Sequence, residues 1–377
     1  MSNGLSLLVQ RLLDKLIEIG AEDALQVCVY VDGEQVVDVW AGTFGDDDSV
    51  DGDTLFTCWS TTKGFAATCI HLLAEAGALD YDSAVAAHWP EFGCHGKEDI
   101  TIRQVLTHSA GIPQMPDGVT AEMVTDWEAM CTAIAAQEPL WPPGTRTAYH
   151  ALVFGWIIGE VVRRIDGRPI DRFAREELCA PLWIEDFYLG IPDDVEHRVA
   201  ALRDDDGAPG GGGGQPAPMR ERVLPERLMT ADVMNRADVR RACYPGAGGI
   251  MNARAIARLY AMLGGGGTLD GKRLLSVERV QELSSLQTDM EDEVMEMPVR
   301  RGLGFMLGGA SEAGGDVRMG RSKRAFGHPG HGGSIGLADP ARKLALGMTK
   351  SLMKSEDKAQ SSAYLIAEAV REYIDNT

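Results

Sequence analysis

Ser60 and Lys63 stand three positions apart, just after the strand-like run Thr54-Leu55-Phe56-Thr57 and at the start of an apolar stretch, 61–76, that reads as a helix stopped by Gly77. On a helix, that spacing puts both side chains on one face, about 5–6 Å apart at Cβ. A serine hydroxyl needs a base before it can attack a carbonyl, and an amine one turn along can be that base. The helix N-terminus adds backbone N–H groups and a positive dipole end for a developing oxyanion. The plainer reading of Ser60 is a helix N-cap. The same S-x-x-K pattern recurs at Ser351–Lys354 and Ser355–Lys358. Those copies lie in the polar stretch 350–358, which reads as a solvated connection.

Other motifs fail on chemistry. Gly266–Lys272 fits G-x-x-x-x-G-K, but Arg273 follows where a phosphate loop needs Ser or Thr, and a helix precedes it instead of a strand. His108-Ser109-Ala110-Gly111 lacks the first glycine of a nucleophile elbow, so Ser109 reads as a turn residue after the helix 102–106. His328 and His331 have i,i+3 spacing, but Pro329 and Gly330 between them exclude a helix face, and two histidines without a third ligand make a poor metal site. No metal or cofactor is expected.

The 377 residues, 45% apolar and 24% charged, have the composition of a globular protein of two to three domain-sized units. A net charge of −20 disfavours nucleic acid and anionic membrane surfaces as partners. Seven cysteines without a C-x-x-C pair suggest neither a zinc cluster nor a disulfide framework. The N-terminal apolar residues are interrupted by Gln10, Arg11, Asp14 and Lys15, the pattern of an amphipathic helix and not of a signal peptide. No run approaches about 18 apolar residues, so no membrane span is expected. A reducing cytoplasm is the expected location, and a homo-oligomer is left open.

The elements that must position Ser60 follow from patterning. Runs 25–31 and 35–40 are strand-like and joined by Asp32-Gly33-Glu34, where Asp-Gly supplies the positive φ of a tight hairpin. Helical segments and loops fill 80–244, including helices over 152–165 and 170–178. The glycine run 207–214 reads as a mobile surface loop. A helix at 253–263, strands at 303–307, 324–327, 334–338 and 344–349, and a closing helix at 359–374 complete the chain. Strands at both ends with helices between predict an α+β fold: an antiparallel sheet from both termini, flanked by helices, with a mostly helical insertion. The expected division of this single catalytic unit is 1–79 plus 245–377 for the sheet-containing region and 80–244 for the helical one.

Ser60-Thr61-Thr62-Lys63 resembles the first signature of the serine β-lactamase and penicillin-binding-protein superfamily, and more closely that of the class C β-lactamase-like carboxylesterases, family VIII. Further segments fit in order: Leu106-Thr107-His108-Ser109-Ala110-Gly111-Ile112; Pro143-Gly144-Thr145 followed by Tyr149-His150-Ala151, resembling Y-x-N; and Phe326-Gly327-His328-Pro329-Gly330-His331-Gly332-Gly333, resembling the K-T-G strand. The resemblance spans about residues 10–375. It implies a β-lactamase-like fold, Ser60 as the acylated nucleophile, and Lys63 and Tyr149 as a coupled proton-shuttling pair. It also implies an oxyanion hole from the backbone N–H groups of Ser60 and His331, with the His331 side chain lining the pocket. His328, in the place of the K-T-G lysine, would hydrogen-bond Tyr149 or substrate, and Gly330 and His150 would also contact substrate. Trp141 and the segment 207–218 are candidates for the acyl pocket.

Departures from the pattern narrow the chemistry. Ala151 replaces the asparagine that would hold a β-lactam or peptide carbonyl, and His328 replaces a charged lysine that would hold a carboxylate. Both changes point to a hydrolase of small, short-chain carboxylic esters working through an acyl-enzyme on Ser60, without cofactor. Acyl transfer from the same intermediate, weak β-lactamase or D-amino-peptidase activity, and a non-catalytic binding protein are the alternatives.

Overall fold

The fold is α+β. The computed structural model describes residues 2–45, 48–205, 218–309, 317–354 and 360–377; the glycine run 207–214 lies outside them. Asp32 and Gly33 both adopt positive φ, 52° and 81°, so the chain reverses in two residues between strands Ala24–Val31 and Glu34–Phe44. Among the described residues nine strands form one sheet with antiparallel neighbours. Its order is Thr288–Asp292, Met297–Arg301, Met306–Leu307, Phe326–Pro329, Ile335–Asp339, Leu344–Lys350, Ala24–Val31, Glu34–Phe44 and Asp48–Ser49. The sheet thus joins both ends of the chain.

The central strands Ile335–Asp339 and Leu344–Lys350 are buried throughout, without polar alternation, which requires cover on both faces. Helix Ala253–Gly264 packs so closely that a Cβ on Gly336 would strike Tyr260 and one on Gly347 would strike the Ala253 and Ala257 backbone. Helices Ser2–Glu18 and Ser362–Asp375 pack on one another, the first also on Glu34–Phe44. No helix of the described residues is long and apolar enough to cross a membrane.

Several elements differ from the sequence reading. The hairpin Thr288–Asp292/Met297–Arg301 carries charge on both strands and gives no alternating signal, so it was not expected; by contrast only Met306–Leu307 of 303–307 pairs as strand. Lys350 and Ser351 are not part of a solvated connection. Lys350 ends a buried strand and pairs with Glu22, itself buried, while 355–359 lie outside the described residues.

A second, four-stranded sheet positions the site. Leu55–Thr57 pairs with Gly249–Met251 and Val199–Ala200, and Gly249–Met251 pairs with Phe187–Leu189. This sheet delivers the chain into helix Thr62–Glu75, in which every residue but Leu72 and Glu75 is buried. Such a helix is held by tertiary packing more than by propensity.

Candidate active site

Ser60 lies in the one-turn 3₁₀ segment Trp59–Thr61 that runs straight into helix Thr62–Glu75. The Cys58 N–H donates to Gly249 O at 2.8 Å, fixing the turn to the small sheet. Trp59 takes a left-handed φ of 47°, uncommon for a bulky residue and a mark of local strain. The strained turn is braced on both sides. Trp59 O accepts from the Thr62 hydroxyl, which in turn accepts from Gly249 N–H, and the Trp59 indole N–H reaches Met353 Sδ at 3.1 Å.

Lys63 is fully buried. Its Nζ lies 2.9 Å from Ser60 Oγ, 2.6 Å from Ala151 O and 2.7 Å from Gly246 O. Burial holds its pKa well below the ordinary lysine range, which favours the neutral amine. Two carbonyls then take the amine's two N–H groups and leave its lone pair for the serine hydroxyl. Neither carbonyl was legible beforehand, since backbone acceptors 88 and 183 positions away leave no side-chain signature.

Tyr149 comes from the loop after Thr147. Its side chain is close enough to Ser60 for the serine to draw the phenol pKa down, and its ring centroid is 5.0 Å from Lys63 Nζ. Burial pushes the phenol pKa up, against the smaller opposing pulls of the neighbouring Ser60 side chain and the Arg301 charge. Burial thus drives lysine and phenol toward their neutral forms together. The loop is tied to the edge hairpin: Glu293 N–H donates to Thr147 O at 3.0 Å and the Thr147 hydroxyl to Glu291 O at 3.0 Å.

The strand Phe326–Pro329 brings Gly330 against the Trp59–Thr61 turn. A Cβ there would lie 2.1 Å from Ser334 Oγ and 2.4 Å from Cys58 O, so only glycine permits the approach. Ser334 donates to Cys58 O at 2.8 Å and meets Thr61 Oγ1 at 3.1 Å, stapling the two segments together; this residue was not anticipated. Among the described residues, neither Ser60 N–H nor His331 N–H donates to a backbone carbonyl. The His331 ring is exposed and meets Trp59 edge-on at 5.1 Å.

A cavity of about 550 Å³ opens over Ser60, with Tyr149, Trp59, Leu152, Met295, Met306, Met353 and the turn Pro329, Gly330, His331, Gly332 and Gly333 among its walls. Three expected contacts do not line it. His328 is buried with Nδ1 2.8 Å from Pro329 O, and burial above all pushes its pKa down to about 3. It is therefore a neutral imidazole whose ring centroid lies 6.1 Å from that of Tyr149. His150 is fully buried with Nδ1 2.7 Å from Ala148 O, its pKa pushed down by burial to about 4. Trp141 is also away from the cavity wall.

Behind Tyr149 stands His108, at φ 59°, whose ring meets the tyrosine edge-on at 5.0 Å. Its Nδ1 accepts the His150 N–H at 3.2 Å, which fixes the neutral tautomer with hydrogen on Nε2. Burial, then the Arg301 charge, holds its pKa well below the usual range.

Residues 9–371 match the family model described as Beta-lactamase. The curated relative "Esterase/beta-lactamase LipL" of Mycobacterium tuberculosis (strain ATCC 25618 / H37Rv) is 35% identical over 349 residues, 87% of this chain and 77% of that protein. Among solved structures, a family VIII carboxylesterase superposes with a TM-score of 0.89 at 33% identity, covering 98% of this chain and 97% of the other. EstA from Arthrobacter nitroguajacolicus Rue61a gives 0.86 at 30% identity, covering 98% and 96%. Motif order, fold and these matches agree: the chain belongs to the Beta-lactamase family.

Proposed function

We propose that the protein is a carboxylic ester hydrolase that acts on small esters through an acyl-enzyme on Ser60. The observation that carries this reading is the three-way environment of Lys63 Nζ, which leaves a desolvated amine facing the serine hydroxyl at 2.9 Å. Ser60 Oγ attacks the ester carbonyl while its proton passes to the Lys63 lone pair. The carbonyl oxygen, now an oxyanion, is received by the N–H groups of Ser60 and His331. On collapse the C–O bond breaks, and the departing alkoxide takes the Tyr149 phenolic proton. The phenolate recovers a proton from the Lys63 ammonium beside it, whose Nζ lies 5.0 Å from the Tyr149 ring centroid. Water then attacks the acyl-enzyme, giving its proton to the same pair, and Ser60 leaves protonated with release of the acid.

The names of the relatives support this reading: an esterase/beta-lactamase and a family VIII carboxylesterase, each more than 30% identical. His328, neutral and turned toward Pro329 O, supplies no fixed charge for a substrate carboxylate, which supports esters over carboxylate-bearing β-lactams. The seven cysteines are free, five of them buried, which suits a reducing compartment such as the cytoplasm. Turnover of p-nitrophenyl acetate and butyrate, together with covalent labelling by a fluorophosphonate, is the direct test. Both should vanish in Ser60→Ala; turnover that persists in that variant refutes the assignment.

A further inference from the structure

Lys350 is the basic side chain buried deepest in the cavity wall, only 3% exposed, and it is paired with the fully buried carboxylate of Glu22. Its stem runs directly beneath the oxyanion turn. A Cβ on Gly333 would lie 3.0 Å from Lys350 Cδ and 3.3 Å from its Nζ, and one on Gly332 would lie 2.9 Å from Met353 Cγ. The positive φ values of Gly332 and Gly333, 79° and 119°, let the turn fold over that stem. Trp59 and Met353, joined by the indole N–H to Sδ contact, contribute apolar surface to the same wall. An ammonium carries three donors, and Glu22 Oε1 is its one acceptor among the described residues.

The sheet order places Lys350 relative to the chemistry. Gly330 directly follows the strand Phe326–Pro329. The hairpin that tethers the Tyr149 loop lies on one side of that strand, and Lys350 ends a strand two positions away on the other side. The leaving alcohol has to meet the Tyr149 proton, so the acid half of the ester points toward Lys350. Because Glu22 already pairs with the ammonium, and the wall's other cations, Arg220, Arg318 and Lys354, face four carboxylates, Asp204, Asp205, Glu221 and Glu226, the cavity holds no excess positive charge and the Lys350 donors suit a neutral acceptor better than an anion.

We propose that Lys350 is a specificity-determining residue that selects esters whose acid half carries a neutral hydrogen-bond-accepting oxygen, such as a ketone, beyond the scissile carbonyl. The proposal rests on the ester-hydrolase reading above. Its test compares p-nitrophenyl pentanoate with the near-isosteric 4-oxopentanoate, and hexanoate with 5-oxohexanoate, each kcat/KM divided by the rate of alkaline hydrolysis. The wild-type protein is expected to favour at least one keto ester by about tenfold, the discrimination a dedicated buried donor gives. In Lys350→Met the keto/alkyl ratio should fall to that of alkaline hydrolysis. The double variant Glu22→Gln/Lys350→Met, which removes both charges of the buried pair, should show the same collapse if the single variant does not fold. Equal handling of both classes by the wild type, a keto preference that survives in a folded Lys350 variant, or preference for a hemisuccinate ester overturns the proposal. Turnover of every one of these esters surviving in Ser60→Ala would instead overturn the underlying ester-hydrolase assignment.

Discussion

Lys63 Nζ sits 2.9 Å from Ser60 Oγ while two backbone carbonyls, Ala151 O and Gly246 O, hold it from behind. The helix supplies the one-turn spacing, but the direction of the lone pair is set by carbonyls from two other segments. Lys63→Met is therefore expected to lower kcat by about 10²–10⁴-fold with a smaller change in KM, as removal of a general base does. Lys63→Arg should not rescue, because a guanidinium stays protonated at working pH and cannot accept the serine proton. Steady-state kinetics on a nitrophenyl ester settles the point; an active arginine variant would exclude the neutral-amine mechanism.

Gly330 sets the distance between the 330–333 turn and the segment that carries Ser60. With a hypothetical Cβ 2.4 Å from Cys58 O and 2.1 Å from Ser334 Oγ, Gly330→Ala must push the 326–333 segment away from Trp59–Thr61. The expected loss is about 10²–10³-fold in kcat, comparable to removal of one oxyanion donor. Ser334→Ala, which leaves Cys58 O without its hydroxyl partner, should be milder and in the same direction. Circular dichroism on both variants separates displacement from unfolding; a folded Gly330→Ala protein with wild-type kcat would remove the turn from the mechanism.

How much of this was legible in the sequence depends on range. Ser60 and Lys63 could be paired because a helix converts spacing into proximity. Tyr149 and the 328–333 turn carry no such local rule, and only their order along a family-like chain pointed to them. His150 and His328 were expected at the substrate from their places in the family-like motifs, yet each ring is turned to a nearby backbone carbonyl and neither lines the cavity. Lys350 was misread as solvated because its partner, Glu22, lies 328 positions away. Polar composition indicates exposure only when no distant opposite charge closes over the side chain.

Buried histidines make stability pH-dependent in a fixed direction. Burial pushes His71 and His328 down to about 3 and His150 down to about 4, against an ordinary value near 6.5. Below about pH 6.5 the unfolded chain binds protons that the folded chain refuses, so stability is full above that pH and falls as the solution is acidified toward 4. The slope is at most about 1.4 kcal/mol per histidine per pH unit. Urea unfolding at pH 7.5, 6.5 and 5.5 should show a falling midpoint; an unchanged midpoint would mean that these rings charge freely in the folded protein.

The tether behind Tyr149 makes its own prediction. Arg301 and Asp292 form an ion pair at 2.5 Å with both side chains almost wholly buried, and Asp292 Oδ1 also accepts the N–H groups of Val294 and Met295 at 2.9 Å. The same hairpin bridges Thr147, two residues before the tyrosine. Removing one partner leaves an uncompensated buried charge, so Asp292→Ala should lose about 3–5 kcal/mol of stability. Asp292→Leu/Arg301→Met, which removes both charges, should recover much of that loss, since an apolar replacement of a buried pair is often neutral. If the pair also holds the Tyr149 loop in place, a folded double variant will keep most of its stability and still show a reduced kcat, because the Asp292 caps on Val294 and Met295 are gone. Thermal unfolding and kinetics on the same samples read both effects, and a double variant as unstable as the single one would show that the charges matter less than the contacts of their side-chain stems.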